Sequence, residues 1–109
     1  MNYKVIPTPE FIKNLKTLKK KYKNIKNDVL ELANELEKDP TIGIDLGNNT
    51  FKIRIKNSDN NKGKSAGYRI ITYCINDIKE VSLVTIYSKS EKENILELEL
   101  KELIARLNS

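Results

Sequence analysis

Two neighbouring segments of the sequence carry basic residues at positions where they could bind a phosphate. In FKIRIK, residues 51–56, apolar and basic residues alternate strictly, so a strand here would present its cations on one face. In KGKSAGYRIITYCI, residues 62–75, two lysines lie among glycines and an arginine begins an apolar strand. A guanidinium that is excluded from water costs free energy unless an anion meets it. We therefore expect an anion-binding face formed by Lys52, Arg54, Lys56, Lys62, Lys64, Arg69 and Lys89.

The chemistry open to such a face is cleavage of RNA without a metal or a small-molecule cofactor. The ribose 2'-hydroxyl attacks the adjacent phosphate, and the protein must accept that proton, stabilise the phosphorane and protonate the departing 5'-oxygen. The sequence has no histidine and one cysteine, which leaves no His–Cys metal set and no histidine-activated nucleophile. Lysine is the remaining general base, because crowding by like charges lowers the pKa of a lysine. Arg69, which keeps its proton at neutral pH, is predicted to bind the transition-state charge.

Length and charge limit the class of protein. A chain of 109 residues with a net charge of +5 is predicted to form one domain, residues 1–109, and to bind an anionic partner such as nucleic acid. Cys74 lies within an apolar run, so we expect a buried thiol, no intrachain disulfide and a reducing compartment. There is no basic-then-apolar signal pattern and no apolar run of about 20 residues, so we expect a cytoplasmic protein that does not enter a membrane.

The first forty residues predict a strand followed by two helices. The strand is expected at residues 3–7, and Thr8 as N-cap with Pro9 at the first helical position marks the start of a helix. Two stretches then repeat apolar residues at helical spacing, until Pro40 stops the second. These apolar residues are Phe11, Leu15, Leu18 and Tyr22, then Ile25, Val29, Leu32 and Leu36. The pattern predicts an αα-hairpin whose lysine-rich outer face is either solvated or in contact with a nucleic acid backbone.

The remaining residues predict three strands and a third helix. Residues 41–50 are predicted to be a loop because of their Gly and Asn content. The strands are expected at residues 51–56, 68–75 and 80–89, in a meander. Ser90 and Glu93 form a capping box at the start of the third helix, and leucines follow at helical spacing, at Leu96, Leu100, Leu103 and Leu107. This stripe packs on its own domain or joins a partner chain. The chain as a whole predicts an α+β fold.

The segments FKIRIK, KGKSAGYRIITYCI and VTIYSKSEKENI, after a strand and a helical hairpin, resemble the toxins of the RelE/ParE superfamily. The form KGKSAGYR is most similar to the HigB branch, and the resemblance covers residues 3–95. It implies a small antiparallel sheet, made of the N-terminal strand and a three-strand meander, packed against the αα-hairpin, with a C-terminal helix. It also implies a type II toxin that cleaves mRNA in the ribosomal A site, inhibits translation and is neutralised by a cognate antitoxin protein.

The resemblance assigns roles to individual residues. Lys52 and Arg54 match the lysines on the family's strand, Arg69 matches the arginine that follows an aromatic residue, and Lys89 stands where related toxins often have arginine. These four are the expected catalytic residues. The residues expected to bind RNA or the ribosome are Lys56, Lys62, Lys64, Tyr68 and Tyr87, with Tyr73 as a further surface on which a base could stack. Some members carry a tyrosine shortly after the position of Lys89, and SEKENI has none.

Two other functions remain open at this stage. A toxin of the ParE branch, which poisons DNA gyrase through protein contacts, shares the fold but usually lacks this density of cations on the strands. A basic RNA-binding module without catalysis would bind RNA in a salt-dependent way and give no cleavage products.

Overall fold

The computed structural model of the protein describes residues 2–60, 63, 66–91, 95 and 97–107. Within these ranges it contains three α-helices and five strands. In chain order they are β1 (Lys4–Pro7), α1 (Pro9–Lys19), α2 (Ile25–Lys38), β2 (Ile44–Gly47), β3 (Thr50–Ile55), β4 (Tyr68–Ile75), β5 (Glu80–Ser88) and α3 (Glu97–Leu107). A short 3-10 turn, Asn76–Ile78, joins β4 to β5. The α+β fold expected from the sequence is confirmed.

Thr8 both starts α1 and fixes that start to the sheet. Its Oγ1 accepts a hydrogen bond from the amide of Phe11 at 3.2 Å, which is an N-cap interaction. The same hydroxyl lies 2.9 and 3.0 Å from the carbonyl oxygens of Leu83 and Val84 on β5, to one of which it donates. A cap of this kind contributes about 1 kcal/mol, and here it also sets where the helical hairpin lies on the sheet.

The helical hairpin covers one face of the sheet, as its apolar spacing predicts. The buried residues of the two helices and of the strands beneath them form one apolar cluster. On the helices this cluster comprises Phe11, Leu18, Ile25, Val29, Leu32 and Leu36, and on β3 it comprises Phe51, Ile53 and Ile55. The apolar side of FKIRIK therefore packs against the hairpin, which leaves the cationic side on the opposite face of the sheet.

The sheet is mixed, with strand order β1-β5-β4-β3-β2. The expected meander is present, because β3, β4 and β5 pair antiparallel in sequence order. The N-terminal strand differs from the antiparallel sheet expected from the resemblance, since β1 pairs parallel with β5, with Lys4 opposite Glu80. A parallel pair cannot be closed by a tight turn, and the helical hairpin and the other strands lie between these two in the chain.

The segment that was expected to be a loop, residues 41–50, contains the edge strand β2. Its residues pair antiparallel with Thr50, Phe51 and Lys52. Asn48 and Asn49 form the connecting turn with φ of 53° and 62°, a left-handed conformation that asparagine adopts more readily than most residues. The prediction of a loop was wrong because β2 is short and has only two apolar residues, Ile44 and Leu46, both exposed. The turn residues Gly47, Asn48 and Asn49 therefore dominate the composition of this segment.

The third helix packs on the opposite face from the hairpin. Leu103 of α3 is buried in a second, smaller cluster with Ile71 of β4 and Val84 of β5. The leucine stripe therefore packs on its own domain, although Leu96 lies outside the described residues, as does Glu93 of the expected capping box. Among the described helices, none has the length and apolar character needed to cross a membrane.

Candidate nucleic-acid interface

Arg54, Arg69 and Tyr87 form a row across the three central strands. Arg54 on β3 is the direct partner of Arg69 on β4, which in turn is the direct partner of Tyr87 on β5. Side chains alternate between the two faces of a sheet, and Ile70 and Ile86 belong to the cluster under the helical hairpin. The row therefore lies on the opposite face. We call this face, with Lys52, the basic face.

Arg69 is the most enclosed cation of this row, with 3% of its surface exposed. Its Nη1 donates to the carbonyl oxygen of Tyr68 at 3.3 Å. Burial lowers the pKa of the Arg69 guanidinium, and the positive charge of Arg54 lowers it further. A guanidinium remains charged at neutral pH after such a shift. An anion bound between Arg54 and Arg69 would offset both the desolvation of Arg69 and the repulsion of the pair.

The other strand cations of the basic face lie along β3. Lys52 is half-buried and is the direct partner of Ile71, which belongs to the small apolar cluster under α3. Arg54 is exposed, and so is Lys56, one residue after the end of β3. Lys52 and Arg54 are therefore on the side of the sheet opposite the helical hairpin, where the alternation of FKIRIK predicts them.

The chain leaving β3, the chain entering β4 and the chain leaving β5 meet at one end of the sheet. The amide of Lys89, an exposed residue, donates to the carbonyl oxygen of Gly67 at 3.1 Å. A Cβ atom at Gly67 would lie 2.0 Å from the carbonyl oxygen of Ile55, so only glycine fits there. This close approach holds Lys89 near the Arg54–Arg69–Tyr87 row. Lys62 and Lys64, in the same connection, lie outside the described residues.

The expectation that Tyr68 stacks on a base is contradicted by its position. Tyr68 is fully buried and lies in the cluster under the helical hairpin, on the opposite side from the basic face. Its ring packs edge-on against that of Tyr22, with centroids 5.7 Å apart. Burial raises the pKa of the Tyr68 hydroxyl, which has no hydrogen-bond partner among the described residues. The physical reason is alternation, since Tyr68 and Arg69 are consecutive in one strand and must face opposite sides.

The other two tyrosines lie nearer the basic face. Tyr87 belongs to the row with Arg69, has 8% of its surface exposed, and its hydroxyl accepts a hydrogen bond from the amide of Ile95 at 3.3 Å. It therefore connects the basic face to the chain that leads into α3. Tyr73 is half-buried against the small apolar cluster under α3. Neither ring presents an open stacking surface in this conformation.

A set of residues at the start of α2 was not predicted from the sequence. Asp28 has 5% of its surface exposed, and its Oδ2 accepts hydrogen bonds from the amide and the hydroxyl of Ser58, each at 3.0 Å. Asp59 accepts two hydrogen bonds from Asn24. A signal was available, because Asp28 is an acid within the apolar stripe of α2, next to Val29. A buried acid requires hydrogen-bond donors, and these come from the connection between β3 and β4.

The arrangement can bind and polarise a phosphodiester. Guanidinium groups offer fixed donors that match phosphate oxygens, and the half-buried Lys52 lies on the same face. No group of three or more acids or cysteines suited to holding a metal occurs in the ranges that the structure describes. The face thus supplies positive charge and hydrogen-bond donors for an anion.

Comparisons with known proteins identify a family and a shared fold. A sequence-family model described as the RelE toxin of the RelE/RelB toxin–antitoxin system matches residues 11–107. Among solved structures, the chain is similar to a free-state mutant of the Escherichia coli toxin RelE in which two arginines are replaced by alanine. The TM-score is 0.66 with 16% identity, over 97% of this chain and 98% of that one, which shows a shared fold. No curated protein sequence matches the chain.

Proposed function

Because the chain belongs to the RelE toxin family, we propose that it is the toxin of a type II toxin–antitoxin system and acts as a ribosome-dependent endoribonuclease. In this proposal it cleaves mRNA in the ribosomal A site and so inhibits translation. Its partners are the ribosome, the message and a cognate antitoxin protein, and it acts in the cytoplasm, where these occur. The segment KGKSAGYR supports placing it in the HigB branch.

The observation that carries the proposal is the row of Arg54 and Arg69 beside Tyr87 on the sheet face opposite the helical hairpin. Two adjacent guanidinium groups, one of them largely excluded from water, favour a ligand with two or more anionic oxygens. When a phosphodiester is converted to a phosphorane, negative charge develops on its non-bridging oxygens, which in this proposal lie next to the two guanidinium groups. Interactions that strengthen as charge develops lower the barrier, whereas equal binding of substrate and transition state does not.

The residues can be given separate roles in the reaction. The 2'-oxygen forms a bond to phosphorus, its proton passes to a base, and the bond to the 5'-oxygen breaks as that oxygen takes up a proton. Arginine cannot serve as the base at neutral pH, so Lys52 is the proposed proton acceptor. Arg69 and Arg54 bind the phosphorane oxygens, and Lys89 protonates the leaving oxygen. Lys56, Lys62, Lys64 and Tyr87 are proposed to hold the RNA or the ribosome.

The test is cleavage of a message placed in the A site of purified ribosomes. Wild-type protein freed of antitoxin is expected to produce a cut at the programmed codon, and an Arg69→Ala variant with the same circular dichroism spectrum is expected to cut at least about a hundredfold more slowly. Absence of cleavage by the wild type, with antitoxin shown to be absent, would refute the enzymatic function. Inhibition of gyrase supercoiling would then favour a ParE-type poison, and salt-dependent RNA binding without products would favour a non-catalytic RNA-binding module.

A further inference from the structure

Asp59 is the only acid between Asp45 and Asp77, and it stands in the connection that carries Lys62 and Lys64. On electrostatic grounds alone an acid at this place opposes RNA binding, since it weakens the attraction of the surrounding cations for phosphate. The hydrogen bonds of Asp59 indicate a structural role instead. Its carboxylate accepts hydrogen bonds from Asn24, from the backbone amide at 2.9 Å and from Nδ2 at 3.0 Å.

Asn24 immediately precedes α2, and its side chain makes no capping bond to its own helix. The amides at a helix start have no partner within the helix and attract negative charge. Asp59 satisfies one of these amides from a distant part of the chain. The bond therefore stabilises the start of α2 and, at the same time, fixes the position of the connection.

A second set of contacts holds the same part of the connection. Asp28, in the first turn of α2, accepts from the amide and hydroxyl of Ser58. The amide of Asp59 donates to Oδ1 of Asn57 at 2.9 Å, and Asn57 has 2% of its surface exposed. Residues 57–59 are thus bound to the helical hairpin just after Lys56.

The turn between α1 and α2 also contacts the chain that leaves β5. The hydroxyl of Tyr22 lies 3.4 Å from Oγ of Ser90, which lies 2.8 Å from Oγ of Ser88. Lys21 pairs with Glu91 at 3.6 Å. These residues lie on either side of Lys89, one of the proposed catalytic residues. A single element, the hairpin turn, therefore contacts both chain segments that border the basic face.

We propose that Asp59 is a positioning residue, which through Asn24 fixes the first part of the connection between β3 and β4 so that Lys56, just before it, meets the RNA. The inference rests on the proposed function for its effect on cleavage. In this role Asp59 strengthens the binding of RNA, whereas its negative charge alone would weaken that binding. Because the two effects change RNA affinity in opposite directions, a substitution that removes only the charge can be distinguished from one that also removes the hydrogen bonds.

The experiment compares Asp59→Ala with Asp59→Asn. Both substitutions remove one negative charge, but asparagine keeps an oxygen that can accept from Asn24, and alanine does not. Asp77→Ala is the matched distal control, since Asp77 is an exposed acid in the 3-10 turn at the opposite end of the sheet. All variants are first checked for folding by thermal melting, and activity is compared well below the melting temperature.

Two quantities are measured. One is the single-turnover rate of message cleavage on programmed ribosomes at saturating protein. The other is the affinity for a short single-stranded RNA with 2'-O-methyl groups, which cannot be cut by attack of the 2'-oxygen. Asp59→Asn and Asp77→Ala are expected to cut at the wild-type rate and to bind the RNA as tightly as wild type or more tightly. Asp59→Ala is expected to cut about tenfold more slowly, because misplacement of a binding group lowers the rate, and to bind less tightly than Asp59→Asn.

The outcomes separate this inference from the proposed function. If the wild type cuts and the two Asp59 variants have equal rates and affinities, the positioning role is wrong and the proposed function stands. If the wild type does not cut, the proposed function fails, and the RNA affinities decide the inference. Weaker binding by Asp59→Ala than by Asp59→Asn supports it, and equal binding overturns it. If Asp59→Ala fails to fold, Asn24→Ala, which removes only the Nδ2 donor, replaces it and is expected to show a smaller loss of the same kind.

Discussion

Arg54 and Arg69 are direct partners across β3 and β4, so two like charges stand side by side at the centre of the basic face. Like charges directly opposite each other destabilise a sheet, and the 3% exposure of Arg69 limits how far water can screen them. A fold selected for stability alone would place an acid or a neutral residue at one of these positions. In the proposed function, an anion bound beside the pair offsets this repulsion.

Replacement of Arg69 by alanine should abolish most activity and leave the fold intact. Loss of one donor to transition-state charge costs on the order of a hundredfold or more in rate. The change also removes a desolvated cation, which offsets part of the packing loss. The measurement is single-turnover cleavage on programmed ribosomes, with antitoxin binding as the check of folding. Arg69→Lys should recover little, because a lysine lacks the fixed pair of donors. A folded Arg69→Ala protein that cuts at the normal rate would contradict this role.

Replacement of Arg54 by glutamine should raise stability while lowering activity. Removal of one of two opposed like charges is expected to increase the free energy of unfolding by roughly 0.2–1 kcal/mol in urea denaturation at low salt. The gain should shrink in high salt, where charges are screened. Lys52→Gln is the matched control, since its direct partner is the neutral Ile71, and it should give no such gain. A destabilised Arg54→Gln protein would mean that Arg54 has a structural role.

Replacement of both Lys62 and Lys64 by alanine should weaken ribosome association more than it affects folding. Each phosphate contact that is lost should reduce the slope of log affinity against log salt concentration by about 1. Sedimentation with ribosomes across a salt series measures this slope. Lys13→Ala with Lys16→Ala, on the exposed face of α1, is the comparison, with an equal change in charge. An unchanged slope for the connection variant would remove both lysines from the interface.

Replacement of Tyr68 by phenylalanine should keep activity and leave stability equal or greater by about 1 kcal/mol, because it removes a buried hydroxyl without a partner among the described residues. Burial raises the pKa of this hydroxyl above the ordinary tyrosine value of about 10, so the stability linked to its protonated form is present below pH 10 and is lost as the pH rises towards the raised pKa. Tyr68→Phe should therefore lose stability less steeply above pH 10, as followed by urea denaturation.

Tyr22→Phe is the control for this pH dependence. The pKa of Tyr22 is lowered, first by its hydrogen bond with Ser90, so its ionised form is favoured in the folded state. Its effect has the opposite sign and falls between its lowered pKa and about pH 10, where this hydroxyl adds stability as the pH rises. Tyr22→Phe should therefore lose that gain just below pH 10. Equal alkaline profiles for the two variants would show that neither hydroxyl determines the loss.

The face that carries the cations could be predicted from sequence because strand alternation needs no tertiary information. FKIRIK places Lys52 and Arg54 on one side whatever they pack against, and the apolar side must be buried. The same rule, applied to Tyr68 and Arg69, would have shown that they cannot share a face. The error over Tyr68 came from assigning roles by residue type, without asking which side each residue faces.

Other features depend on pairings between distant residues and have no local signal. The parallel contact of β1 with β5 is of this kind, and so is the bond between Asn24 and Asp59. The edge strand β2 was missed because its pairing with β3, and its short length, override a composition typical of loops. Only Asp28 gave a local hint, as an acid on an apolar helix face.

The pairing of the first strand with the last has a consequence for how the protein folds. Because β1 binds β5 and the Thr8 cap bonds to β5, the N-terminal elements cannot reach their final positions until β5 has been made. Contacts between distant parts of the sequence slow folding, because the entropic cost of closing the loop must be overcome before they form. Tyr87, which completes the row beside Arg69, belongs to that same late strand. A nascent chain that lacks β5 thus has no complete basic face, and the proposed activity would begin only after β5 has been made and paired.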